Sequence, residues 1–221
     1  ISLIGMVVAV PLGLGAAIYL SEYARPRVRK TIKPMLELLA GVPTIVFGYF
    51  ALTFFTPEIL RGILGSDVAI FNGLSAGIII GFLIVPTVAS ISEDSMTAVP
   101  QSLREGSFGL GASKLQTTMR VVFPAALSGI VASIVLGFSR AVGETMVVVI
   151  AAGLQPQWGL DIFQSMETMT TFIAATAKGD VSTGSIAYKT LFAVGTTLFV
   201  ITLIMNMISI RFVRKYRQVY E

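Results

Sequence analysis

The chain has 221 residues, 54% of them hydrophobic and 13% charged, with a mean hydropathy of +0.83. A soluble domain of this size needs far less apolar surface, so the composition points to a bilayer as solvent. There is no cysteine and no histidine, which excludes a disulfide framework and thiolate chemistry and removes the commonest metal ligand and general base.

The first run, "ISLIGMVVAV", is apolar from its first residue and has neither the basic start nor the small-residue cleavage site of a signal peptide. It reads as a chain trimmed at its N-terminus. Five segments reach the roughly 20 apolar residues a membrane-spanning helix needs: about 1–20, 35–56, 69–92, 124–152 and 190–210. Pro11, Pro43 and Pro86 fall inside them, which lipid-embedded helices tolerate. Nothing alternates with period two over successive blocks, so strands are not expected. The expected fold class is all-α: a polytopic transmembrane helical bundle forming one domain over 1–221.

The charges orient it. Segments 21–34, 93–123 and 211–221 carry Arg25, Arg27, Arg29, Lys30, Lys33, Arg104, Lys114, Arg120, Arg211, Arg214, Lys215 and Arg217; segments 57–68 and 153–189 carry only Arg61, Lys178 and Lys189. This bias makes the first side cytoplasmic. It also accounts for the net charge of +4 and pI near 9.5 without a nucleic-acid partner. The C-terminus is then cytoplasmic, the chain starts outside, and a further helix is expected upstream. Glu37 is expected to snorkel or to pair with Lys33 at i−4, and the closing "RFVRKYR" reads as a positive-inside anchor.

The loop 93–123 is long for a connection between spans and looks ordered. Pro100 suits a first helical turn, "QSLREGSF" continues as a short helix, Gly109 and Gly111 interrupt it, and "ASKLQTTMRVVF" resumes a helical pattern up to Pro124. Gly106 and Gly111 have the separation of a phosphate-cradling P-loop. That motif requires Lys and then Ser or Thr directly after the second Gly, whereas "ASK" follows here, and no buried strand precedes it. An ATPase site in this chain is therefore not expected.

The fourth span contains "SRAVGET", which puts Arg140 and Glu144 one helical turn apart in hydrocarbon. Gly129, Ser133, Gly137 and Ala141 recur every four residues and share their face, the pattern of close helix packing. An unpaired Arg at a helix centre costs roughly 2.5–3.5 kcal/mol, and Glu144 at i+4 is expected to offset part of it by a charge-assisted hydrogen bond. Gly143 leaves space beside the guanidinium. The residues alone leave two readings open: a structural ion pair, or an oxyanion site with a forked donor at Arg140 and an acceptor at Glu144 for a protonated oxygen. In the outer segment 153–189, Ile162, Phe163, Met166, Phe172 and Ile173 give an apolar side at roughly helical spacing. With Trp158 at headgroup level this reads as an interfacial helix, or as part of a platform for a binding protein.

Two motifs carry a family resemblance. Glu105, Gly111, Val121, Phe123 and Pro124 have the spacing of the EAA loop of ABC-importer permeases. Gly106 and Ser107 stand at its two small-residue positions, and Val121 and Phe123 replace the usual Ile and Leu. "SRAVGETM", with "LAGVPTIVFGYF" at 39–50 and "NGLSAGIIIGFLIVPTVASIS" at 72–92, resembles the permeases of bacterial phosphate ABC importers. "GETM" before an apolar run and the closing "RKYRQVYE" resemble the C-type rather than the A-type. The resemblance implies a type I importer permease in the plasma membrane, with Arg140 and Glu144 in the phosphate pathway. It implies that Glu105, Gly106, Ser107, Gly111 and Pro124 belong to a coupling loop that docks on the ATPase. The implied partners are a second, A-type permease, two copies of an ATPase subunit that bind ATP and Mg, an extracytoplasmic phosphate-binding protein and membrane lipid. No cofactor is expected in this chain. An importer of sulfate or molybdate, and an ATP-independent channel or carrier, are the alternatives.

Overall fold

The structure is a computed structural model that describes residues 1–159, 161–179 and 181–216, without the side chains of residues 209 and 212–216. Arg217, and the side chains of Arg214 and Lys215, therefore lie outside the described residues. The described chain is helical: α1 Ser2–Tyr23, α2 Pro26–Ala40, α3 Thr44–Leu64, α4 Gly73–Thr97, α5 Gln101–Gly109, α6 Lys114–Ala125, α7 Leu127–Gly143, α8 Met146–Ala151, α9 Met169–Lys178 and α10 Ile186–Tyr216. α1, α4 and Ile186–Ile208 of α10 are each long and apolar enough to cross a membrane, and the bent pairs α2–α3 and α6–α7 bring the spans to five. The membrane-spanning, all-helical expectation holds.

α4 is the axis of the bundle. In its most apolar stretch 61% of the residues are buried, against 0% for α10 at the periphery. Ile79, Ile80, Leu83, Ile84 and Val88 of α4 pack with Met6 and Ala9 of α1, Ala141 of α7, and Val147, Val148 and Ala151 of α8. Between α1 and α4 the contact is made by glycines. A side-chain carbon at Gly77 would lie 2.7 Å from Ile4 Cβ, and one at Gly81 would lie 2.6 Å from Val8 Cβ and 2.8 Å from the Gly5 carbonyl oxygen. With no hydrophobic driving force between helices in lipid, spans associate in part through the van der Waals packing that such close backbone approach allows.

Three expected elements are corrected. The span placed at 35–56 is not one continuous helix: "GVP" breaks it between Ala40 of α2 and Thr44 of α3. The Pro43 ring disfavours helical geometry at Val42, and α2 meets α3 at 86°. The continuous helix placed at 124–152 is broken twice, by a 70° bend between α6 and α7 and at Glu144–Thr145, which separate α7 from α8. Among the described residues the outer segment is helical in α9 and where α10 begins at Ile186. Residues 162–164 instead present carbonyls to the backbone N–H groups of Leu74 (2.8 Å), Ala69 (2.9 Å) and Gly73 (3.2 Å). They thereby supply partners that the first amides of α4 lack within their own helix. Asn72 adds the cap, its Oδ1 accepting from Ser75 N–H at 2.7 Å.

Lys33 does not pair with Glu37. Lys33 and Arg29 of α2 both reach Glu93 in the last turns of α4, a carboxylate with 0% exposure, and Lys33 also reaches Asp94. Thr97 Oγ1 donates to Glu93 Oε1 at 3.1 Å. Partial burial lowers the Lys33 ammonium, but hydrogen bonds to Asp94 and Glu93 and their charges outweigh it and hold the group above its ordinary value. Removing Glu93 takes away the carboxylate that ties the partly exposed Arg29 and Lys33 to α4. Glu93→Ala is therefore expected to release α2, with trypsin cutting at Arg27 and Lys30 at least about ten-fold faster than in the wild type. Unchanged cleavage would mean that the cluster does not hold α2.

Candidate functional site

α7 turns its small residues inward as its spacing requires. Ser133, Gly137 and Ala141 are buried. Ser133 Oγ meets Ser92 Oγ of α4 at 2.8 Å, and a side-chain carbon at Gly137 would lie 2.9 Å from Ile84. Arg140 stands beside this seam. Its Nη1 donates to Thr87 Oγ1 of α4 at 3.2 Å, and no atom lies within 4 Å of where a Gly143 side chain would begin.

Glu144 is not the partner of Arg140. The helix ends at Gly143, and Glu144 takes an extended conformation (φ −68°, ψ 130°). Its Oε1 then accepts from the backbone N–H groups of Thr145 (3.1 Å), Met146 (3.1 Å) and Val147 (3.4 Å). The carboxylate thus satisfies the first amides of α8, where negative charge is favoured. The Glu144 carbonyl accepts from Thr170 Oγ1 at 2.9 Å, which ties the break to α9. Among the described residues no carboxylate pairs with Arg140. A guanidinium has five N–H donors, and the described hydrogen bonds use one of them.

A cavity of about 400 Å³ adjoins the break, lined by Glu144, Glu167, Thr168, Thr170 and the flanking apolar residues. Burial pushes the Glu167 carboxyl above its ordinary value. A larger groove of about 480 Å³ lies at the basic end of the bundle between the end of α1 and α2, lined by Ser21, Arg29, Lys30, Lys33 and Glu37 among others. Arg140 lines neither.

The loop at the basic end forms as a helical hairpin. α4 runs on to Thr97, so the loop starts later than residue 93, and α5 continues through Gly109. The turn is made at Gly111, whose φ of +83° lies where a side chain would be strained. Ser113 restarts the helix with a capping box to Gln116. Glu105 and Gly106 are exposed, and Leu103, Phe108, Leu110, Leu115 and Met119 form exposed apolar surface on the same hairpin. Ser107 faces inward, its hydroxyl 2.9 Å from Thr117 Oγ1 of α6. A side-chain carbon at Gly106 would meet nothing within 4 Å, so the hairpin itself does not require glycine there. Pro124 lies exposed near the end of α6.

The residues singled out in the sequence thus form two groups. Glu105, Gly106, Ser107 and Gly111 share the hairpin, and Arg140 and Glu144 flank the end of α7. Sequence reasoning missed Thr87, the Glu93 cluster and the Gly77–Gly81 seam. The seam had a signal in "GLSAGIIIG", with glycines at 73, 77 and 81, and Glu93 had one in two adjacent acids closing an apolar run. Thr87 had none.

A family model described as binding-protein-dependent transport system inner membrane component matches residues 9–218. The chain is 34% identical to the probable ABC transporter permease protein YqgH of Bacillus subtilis, over 99% of this chain and 70% of that one. It is 33% identical to the phosphate transport system permease protein PstC of Mesorhizobium japonicum, over 94% and 68%, and 30% identical to that of Haemophilus influenzae, over 97% and 73%. In fold it is similar to a chain of the inward-facing MetNI methionine ABC transporter, with a TM-score of 0.69 at 17% identity over 98% of this chain and 89% of that one.

Proposed function

Because the chain belongs to the family of binding-protein-dependent transport system inner membrane components, we propose that it is the C-type permease half of an ATP-driven importer of inorganic phosphate. The relatives named as phosphate transport permeases support the substrate. The observation that carries the reading is Arg140, a permanently charged fork held between α4 and α7 with one hydrogen bond to a hydroxyl and, among the described residues, no carboxylate to neutralise it. Such a group offers two parallel N–H donors to an oxyanion. A single cation without a closed cage binds weakly enough to release its ion, as conduction requires.

In this reading the basic end, with the C-terminus, faces the cytoplasm. The exposed apolar surface around Glu105 seats on ATPase subunits, two copies of which bind and hydrolyse ATP with Mg. This chain has no ATPase site of its own. A homologous A-type permease completes the pathway, and an extracytoplasmic phosphate-binding protein delivers the ion at the end carrying Trp158 and α9. Glu144 contributes its second oxygen as an acceptor for a protonated phosphate oxygen, which sulfate lacks at neutral pH.

The test is uptake of labelled phosphate by the full complex in proteoliposomes. Uptake is expected to require ATP and to be unaffected by a large excess of sulfate or molybdate. Displacement by either ion would assign another oxyanion, and uptake without ATP would make the protein a channel or carrier.

A further inference from the structure

Among the described residues, side-chain hydrogen bonds leave α5 at two places. Ser107 stays within the hairpin, on Thr117. Arg104 reaches the bundle: Nη1 donates to Glu22 Oε1 at the end of α1, and Nη2 donates to the Met96 carbonyl in the last turn of α4 at 2.7 Å. No residue of α5 is buried, yet the Arg104 and Glu22 side chains are only 12% and 7% exposed. The fork is the sheltered attachment of an otherwise exposed helix. A planar guanidinium holds two acceptors on different helices at once, which a lysine ammonium on a flexible stem does with less geometric definition.

The two helices it holds, α1 and α4, are the pair locked together at Gly77 and Gly81. Met96 and Thr87 lie on the same helix, with about 13 Å of rise between them and no proline in the interval. One unbroken helical rod therefore joins the acceptor of Arg104 to the hydroxyl that receives Arg140.

We infer that Arg104 is the positioning residue through which displacement of the α5 hairpin is passed to α1 and α4, and along α4 to Arg140. The inference rests on the reading of the hairpin as the ATPase docking loop. Its neighbour Glu105 is exposed, so adjacent residues divide the work: Glu105 faces the partner and Arg104 faces the bundle.

The experiment measures phosphate transported per ATP hydrolysed by the reconstituted complex, together with the ATPase subunits that co-purify. Arg104→Gln is expected to keep the ATPase subunits and ATP hydrolysis while phosphate per ATP falls by about ten-fold or more. Glu22→Gln, which lies away from the docking surface, should shift the ratio in the same direction. Arg104→Lys should fall between wild type and Arg104→Gln. A wild-type ratio in both Arg104→Gln and Glu22→Gln overturns the inference, as does joint loss of the ATPase subunits, which would place Arg104 in the docking surface. If Arg104→Gln fails to assemble, Glu22→Gln decides alone: a lowered ratio supports transmission and a wild-type ratio rejects it. The docking reading has its own control. Glu105→Arg should lose the ATPase subunits, and their retention would remove that reading and the inference with it.

Discussion

Arg140→Gln is expected to lower ATP-driven phosphate uptake by about 10- to 100-fold, the range for losing hydrogen bonds from a charged donor, with assembly and thermal midpoint unchanged. The second half of that statement comes from the geometry. In a buried ion pair, removing the cation would strand Glu144 and destabilise the protein. Here Glu144 is occupied by three backbone amides, and the neutral substitution strands nothing. It also removes the insertion cost of an intramembrane Arg. Uptake and melting in the same variant therefore separate the two roles. Lost uptake with an unchanged midpoint places Arg140 in the ion pathway. Normal uptake, or a midpoint lowered in step with uptake, would make it a structural residue. Arg140→Lys should retain part of the activity, because it keeps the charge but not the fork.

The second large effect is expected at Gly81. In Gly81→Leu the first side-chain carbon alone would lie 2.8 Å from the Gly5 carbonyl oxygen and 2.6 Å from Val8 Cβ. One obstacle is backbone and the other a Cβ whose place the backbone fixes, so no rotamer change relieves them and the two helices must part. Overpacking ordinarily costs about 1–3 kcal/mol, and this site lies on the central helix of the bundle. Gly81→Leu should consequently leave little assembled protein in the membrane. Gly195→Leu, at a position where a side-chain carbon meets nothing within 4 Å, is the matched control and should give normal yield. Equal yields of the two variants would show that the α1–α4 seam does not set stability.

What the sequence made legible follows from which interactions are local. The apolar runs and the turn at Gly111 act within a few residues of themselves, so a helical hairpin was legible there, although α4 takes residues 93–97 and α5 runs through Gly109. The stripe at Ser133, Gly137 and Ala141 correctly announced a packed face because helical periodicity is itself local. The Arg140–Glu144 pairing failed for the converse reason. Spacing at i+4 implies contact only if the helix continues, and the amides of α8 competed for the same carboxylate. Lys33 likewise sits one turn from Glu37 but finds Glu93, 60 residues away, through the packing of α2 on α4. Thr87 carries no chemical signal until the fold brings it beside Arg140.

The exposed α10 bears on how the protein is made. Three of its hydroxyls are satisfied within the helix: Thr190 donates to the Ile186 carbonyl at 2.9 Å, Thr197 to Ala193 at 2.8 Å and Thr202 to Leu198 at 3.0 Å. Asn206 Oδ1 accepts from Ser139 Oγ of α7 at 3.2 Å, but the rest of this apolar segment can leave the translocon for lipid before it finds that partner. α7 has no such independence, since the hydroxyl that receives its guanidinium belongs to α4. Synthesis in chain order supplies α4 before α7 emerges, so the order of the helices along the gene doubles as their order of assembly.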